Sequence, residues 1–312
     1  MPPELSAVVV VGELRERAGD CVRSLLDQGL GERLEVLLVD VASPGAPPVR
    51  GSEAPEVRVL ERSPATTFAQ ARAAAVRAAR GTVVAFLEEH SLALPGFGEA
   101  LLRAHAGPFA GVGPAVVNAN PGVGRSDISG LLAYGHFYPP CGRGEVEFLP
   151  GHNSSFKRDA LVGLGGDLDR LLRADLVLHR RLRRLGHRLL LEPAAVVAHR
   201  NEVTLGNRVR GIFFWYRNYA VARAAEGRWS VARRVCYVVA TPVLPLYFLA
   251  NFTRFVARER RAYLGLLLRE VPYTVTTMLA GAVGQALGLL LGPGDAEARF
   301  SRFELTAARP LR

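Results

Sequence analysis

Between residues 7 and 90, short aliphatic runs alternate with stretches of helical spacing, and few folds accommodate that alternation. Residues 7–11 are one Ala followed by four Val and read as a buried strand. Residues 20–30 follow, with Val22, Leu25 and Leu26 at helical spacing. Residues 35–39 read as a second buried strand, closed by Asp40 and by the breaker-rich stretch 43–48. Residues 57–60 read as a third strand, and the Ala-rich residues 68–80 as a helix that Gly81 stops. Residues 82–87 are a fourth strand, ending in Glu88-Glu89-His90. The order strand, helix, strand, strand, helix, strand predicts an α/β fold with a mostly parallel sheet flanked by helices. Ligands bind such sheets at the carboxyl ends of the strands, and Asp40 and the Glu88-Glu89-His90 cluster both fall there.

The next part of the chain is less regular. Residues 107–151 are rich in Gly, Pro and aromatics and are expected to form short strands and a long loop over the site. Residues 159–165 and 174–185 read as helices, and residues 188–191 and 195–198 as two short apolar runs that close the domain. Beyond about residue 205 the character changes. Residues 235–253 carry no charge, and neither do residues 271–294. Each is long enough for the roughly 20 residues that cross a bilayer. The expected division is an α/β domain over 1–210 and a hydrophobic helical, membrane-associating region over 211–312. Full spans are the less favoured form of that association. Pro242 and Pro245 interrupt the first segment. The basic connector 254–270 would lie on the far side of a spanning hairpin, against the positive-inside tendency. Buried helices of a soluble protein are the other reading.

The formal net charge is +10, and Lys157 is the only lysine among 39 basic residues. No zinc-finger spacing or RNA-binding signature accompanies that charge, so nucleic acid is not the expected partner. The arginines beside the uncharged segments, among them Arg233, Arg234, Arg258, Arg260, Arg261, Arg299 and Arg302, suit an anionic membrane surface better. The three cysteines, Cys21, Cys141 and Cys236, are odd in number and far apart, and suggest neither a disulfide framework nor a zinc site. Met1-Pro2-Pro3-Glu4 lacks the basic-then-apolar order of a cleaved signal. The expectation is therefore a cell-membrane protein with its catalytic part on the cytoplasmic side.

Several segments in order resemble the family 2 glycosyltransferases, which are inverting enzymes of the GT-A fold. Ser6-Ala7-Val8-Val9-Val10-Val11 resembles the family's first strand, and Glu35-Val36-Leu37-Leu38-Val39-Asp40 its second. Ala71-Arg72-Ala73 stands where the family has Ala-Arg-Asn. Val84-Ala85-Phe86-Leu87-Glu88-Glu89-His90 stands where a hydrophobic strand ends in an Asp-rich metal motif. Leu94-Pro95-Gly96-Phe97 is similar to the Pro-Gly-aromatic step, and Pro150-Gly151-His152-Asn153-Ser154-Ser155-Phe156 to the acceptor-side segment. Asp175-Leu176-Val177-Leu178-His179-Arg180-Arg181-Leu182 resembles the helix that carries the catalytic carboxylate. The chain departs from the family at Gly12-Glu13, where Tyr-Asn is usual, at Val41, at Ala174 and in Glu-Glu-His for Asp-x-Asp. The Gln-x-x-Arg-Trp motif of processive members is absent, which implies a non-processive enzyme.

The resemblance implies roles for individual residues. Asp175 would be the general base that takes the acceptor's proton. Glu13, Asp40, Arg72 and Glu88 would contact the nucleotide-sugar donor, and His152 and Asn153 would lie on the acceptor side. Glu88, Glu89 and His90, with His199, offer a carboxylate and imidazole set for a divalent cation, Mn2+ or Mg2+, at the leaving diphosphate. Taken alone, those three consecutive residues fit a solvated turn better than a metal site. The reaction implied is hexosyl transfer from a nucleoside-diphosphate sugar to a glycan or lipid-linked acceptor of the cell envelope. The alternative is a degenerate, membrane-associated protein that only binds a nucleotide or glycan.

Overall fold

The computed structural model describes residues 2–307. In chain order the first elements are β1 (Leu5–Val11), α1 (Arg15–Leu26), β2 (Leu34–Asp40), β3 (Val57–Glu61), α2 (Phe68–Ala78), β4 (Val83–Glu88), β5 (Ser91–Ala93), α3 (Phe97–His105) and β6 (Phe109–Asn118). Then come α4 (Ser126–Tyr134), β7 (Gly144–Glu145), β8 (Ser155–Lys157), α5 (Arg158–Val162), α6 (Leu168–Leu171), α7 (Asp175–Arg184) and β9 (Arg188–His199). The chain continues through α8 (Leu205–Glu226), α9 (Val231–Val239), α10 (Leu244–Glu259), α11 (Leu264–Arg269), α12 (Val271–Leu291) and α13 (Ala296–Thr306). They form two compact units. The first comprises residues up to Ala119 with His136–Arg200, and the second comprises Asn120–Gly135 with Asn201 onward. The division falls before α8 rather than at residue 210.

The first unit is built on one sheet in the order β3-β2-β1-β4-β8-β6-β9-β5, with β7 also paired to β9. Strands β3, β2, β1 and β4 run parallel, as do β6 and β9. Every residue of β1 and β4 is buried, as expected of a parallel sheet covered on both faces by helices. The sheet is mostly parallel, as the alternation predicts, and GT-A-like, as the resemblance implies. The antiparallel β8 lies between β4 and β6, with Ala85 opposite Ser155. Because β8 runs against β4, the turn that precedes it lies at the carboxyl end of β4, and the Phe86 amide donates to the Ser154 carbonyl at 2.9 Å.

Three expectations are corrected. Residues 109–118 form a ten-residue strand, not part of a long loop. Its glycines are there for packing: a Cβ on Gly111 would lie 2.8 Å from Leu189 and 3.0 Å from Leu149. The two apolar runs after residue 187 are one strand, β9, whose register against β6 shifts between Pro114 and Ala115. Pro193 falls in that irregular stretch, where a missing N–H costs the ladder little. Helix α1 begins at Arg15 rather than Asp20 and buries Arg17.

The second unit is helical. Helices α12 and α8 cross closely: a Cβ on Gly281 would lie 2.9 Å from the Tyr216 ring, and one on Gly288 2.6 Å from the Arg217 carbonyl. Helix α12 is 21 residues long and apolar enough to cross a membrane. The first uncharged segment is not one helix, because α9 and α10 are bent by 72° at the break that contains Pro242. Val231, Val239, Val243 and Leu246 are each more than 60% exposed there.

Candidate active site

The carboxyl edge of the sheet gathers most of the expected site. Glu88 ends β4, and His90 lies between β4 and β5. Strand β9 delivers His199 to the same place, because it runs parallel to β6 and antiparallel to β5 with Ser91 opposite His199. His90 Nε2 and His199 Nε2 are 3.1 Å apart. Glu88 Oε2 is 3.1 Å from the His199 nitrogen and 3.7 Å from that of His90. All three side chains are buried, and their ligand atoms lie within 4.8 Å of one another.

That triangle fits a divalent ion. Metal bonds of about 2.1 Å at angles between 90° and 110° place ligand atoms roughly 3.0–3.5 Å apart, a range that two of the three edges meet and the third, at 3.7 Å, slightly exceeds. Two imidazoles and one carboxylate on one face of an ion leave further positions open. Burial pushes the Glu88 carboxyl up, but His90 and His199 more than reverse this and hold it well below the usual carboxylate range. Asn153 fixes its orientation, donating from Nδ2 to Glu88 Oε2 at 2.9 Å and accepting the Glu88 amide at 3.2 Å. An outer contact of this kind holds a metal ligand in place.

Glu89 lies outside the triad. Its carboxylate pairs with Arg17, whose Nε donates at 2.8 Å, and both side chains are buried. Successive side chains at a strand end face opposite ways, so Glu88 and Glu89 cannot both turn to one ion.

Asp175, at the start of α7, is the second centre. Its Oδ2 accepts the His152 amide at 3.2 Å and lies 3.1 Å from His152 Nδ1. Arg72 Nη1 is 3.7 Å from Asp175 Oδ1, and its guanidinium lies over the rings of Phe68 and Phe86. Burial raises the Asp175 carboxyl, while His152 and then Arg72 bring it below its ordinary value. His152 has a positive φ of 66°. A Cβ on Gly151 would lie 3.1 Å from Asp175 Oδ2. The turn Gly151-His152-Asn153 therefore touches both centres, with His152 on Asp175 and Asn153 on Glu88. His152 and Asn153 thus hold other side chains in place, and Arg72 is a partner of Asp175.

Asp40 and Glu13 stand farther along the same edge. Arg15 donates to both Asp40 oxygens, at 2.9 and 2.6 Å. Burial raises the Asp40 carboxyl, and the Arg15 hydrogen bonds bring it below its usual value. Glu13 Oε1 accepts from the Ser43 amide and hydroxyl. Asp40 is in register with Val11 and Glu88 with the adjacent Val10, two strands away. At about 4.8 Å per strand, the two backbone positions are roughly 10 Å apart across the sheet. Arg15 and Arg17 have no signal in the sequence beyond a polar stretch that reads as a loop.

The model of the family described as "Glycosyl transferase family 2" matches residues 7–165. No curated protein matches the chain in sequence. Among solved structures, a mannosyltransferase from Pyrobaculum calidifontis in complex with GDP-Man and Mn2+ is similar. Its TM-score is 0.59 and its identity 17%, over 93% of this chain and 88% of that one. A glucosyl-3-phosphoglycerate synthase from Mycobacterium tuberculosis in complex with phosphoglyceric acid follows, with a TM-score of 0.49 and 16% identity over 72% and 80%. At 17% identity the likeness to the mannosyltransferase is one of fold.

Proposed function

The chain belongs to glycosyl transferase family 2, and from that premise we propose an inverting transfer of a sugar from a nucleoside-diphosphate donor to a lipid-linked or cell-envelope glycan at a membrane. The observation that carries this reading is the turn 151–153, which ties the Glu88 set and Asp175 into one buried polar cluster. Asp40, braced by Arg15, and Glu13, braced by Ser43, take the nucleoside end of the donor. Glu88, His90 and His199 would hold a divalent ion, which would offset the negative charge of the leaving diphosphate. The donor set favours Mn2+ over Mg2+, since Mg2+ demands an oxygen octahedron and imidazole suits transition ions. The fold relative solved in complex with GDP-Man and Mn2+ supports the same choice.

Asp175 acts on the other side of the reacting carbon. The acceptor oxygen bonds to the anomeric carbon while the bond from that carbon to the diphosphate oxygen breaks, and the acceptor's proton passes to Asp175. A carboxyl held below its ordinary value is ionised at neutral pH and ready to accept it. His152 and Arg72 keep the carboxylate oriented and charged while it waits. Membrane attachment is read from α12 and from the exposed aliphatics of α9 and α10, with the catalytic unit on the cytoplasmic side.

Asp175→Asn preserves the size of the side chain and removes the base. Transfer is expected to fall by about 10²–10⁴-fold, with nucleoside diphosphate and Mn2+ still bound in calorimetry. A variant that transfers at the parent rate, or a product of retained anomeric configuration by NMR, overturns the reading. Binding without turnover in the parent enzyme leaves only the degenerate binding protein.

A further inference from the structure

The second unit holds two contiguous depressions that the transfer chemistry does not use. Between α8 and α13 lies a cavity of about 480 Å³, lined by Arg210 and Phe214 from α8 and by Asp295, Arg299, Arg302 and Phe303, among others. Between α8 and α12 lies a groove of about 490 Å³, lined by Val209, Phe213, Leu279 and Val283 together with the same Arg210 and Phe214. The two meet along the Arg210 and Phe214 ridge. Helical spacing produces this: residues 206, 209, 210, 213 and 214 fall on one face of α8, and residues 276, 279, 280 and 283 on one face of α12. Leu279 and Val283 are 47% and 45% exposed, an apolar surface open to solvent.

Charge is unevenly matched in the cavity. Asp295 pairs with Arg299 at 2.7 Å, and Arg299 also lies over the Phe214 ring. Arg210 and Arg302 make no ion pair among the described residues. The cavity therefore offers two planar guanidinium groups, each able to bind a phosphate through paired N–H donors. One end of the combined site suits an anion and the other a hydrocarbon chain.

We infer that the α8, α12 and α13 surface is a binding site for a lipid phosphate, with the phosphate at Arg210 and Arg302 and the chain in the α8 and α12 groove. A free phosphate leaves the groove bare, and a neutral lipid leaves the arginines unmatched. The inference rests on the membrane reading above and not on the transfer chemistry.

Dodecyl phosphate, dodecanol and inorganic phosphate test it against the full-length chain in a neutral detergent, read by native mass spectrometry without any donor sugar. Dodecyl phosphate is expected to be retained at least about tenfold better than either of the others, the scale of one charge-assisted hydrogen bond. Arg210→Gln with Arg302→Gln is expected to lose that advantage. Both positions are exposed, and Gln is a good helix former, so helicity by circular dichroism should match the parent. Val283→Asn is expected to weaken dodecyl phosphate and leave inorganic phosphate unchanged. Equal retention of dodecanol, equal competition by inorganic phosphate, or an unaltered double variant each overturns the site. Glu88→Gln should bind dodecyl phosphate like the parent, which separates failure of this site from failure of the transfer reading.

Discussion

Asn153 shows how much of this site depends on side chains that would touch neither substrate nor ion. It grips Glu88 from both sides, donating to the carboxylate and accepting the amide. Asn153→Ala is expected to weaken Mn2+ by about 10–100-fold, the usual cost of a lost outer contact, as read by electron paramagnetic resonance of free Mn2+. Full Mn2+ affinity in that variant would mean that Glu88 is held in place by other contacts. A second expectation concerns the ion. With a nucleoside diphosphate present, Mn2+ should raise the melting temperature and equimolar Mg2+ should raise it far less. The places of Glu88, His90, His199 and Asp175 at strand ends and a helix start are legible in the sequence. The separation of Glu89 from them depends on which way a strand-end side chain turns, and a run of two acids does not reveal that. The burial of Arg17 is equally hidden, since only the partner 72 positions away makes it tolerable.

The crossing of α8 and α12 shows where local preference and packing disagree. In an open helix Gly→Ala stabilises by up to about 1 kcal/mol. At Gly284 the added methyl would run into the Phe213 carbonyl, backbone that cannot step aside. Overpacking of that kind costs about 1–3 kcal/mol, so Gly284→Ala is expected to lower the melting temperature, measured in detergent by differential scanning fluorimetry. Gly265, where an added methyl would meet nothing within 4 Å, is the control, and Gly265→Ala should not lower it. The elements most readable in sequence are β1, β2 and β4, whose apolar runs are uninterrupted. Strand β6 is hidden by glycines that look like turn residues but serve close contact. The continuity of β9 is hidden by a proline seated at a register shift.

The first unit as a whole carries a prediction about acid. His105 and His179 are buried, and burial brings each down to about 4 from an ordinary 6.5. Between those values the unfolded chain binds protons that the fold refuses, so stability rises with pH across that window and is fully present above it. Each histidine accounts for up to about 3 kcal/mol. The denaturation midpoint should be flat above pH 6.5 and fall steadily towards pH 4, and His179→Gln should remove part of the slope. Asp175 and Glu88, held below their usual range, keep their charge in the fold through the window, and their share begins to be lost as pH falls into the ordinary carboxylate range at its acid end. A midpoint that stays level down to pH 4 would show these imidazoles to be accessible to protons in the fold.

The candidate ion site joins distant stretches of the chain. Glu88 and His90 lie inside the stretch that matches the family, residues 7–165, while His199 and Asp175 come after it. During synthesis, a ribosome that has released only the matched stretch has made Asp40, Glu88 and His90, with neither His199 nor Asp175. An ion held by all three residues would have to wait until β9 has closed against β5. Once bound, the ion would staple positions 109 residues apart, and withdrawing it with a chelator would loosen the last strand before the first.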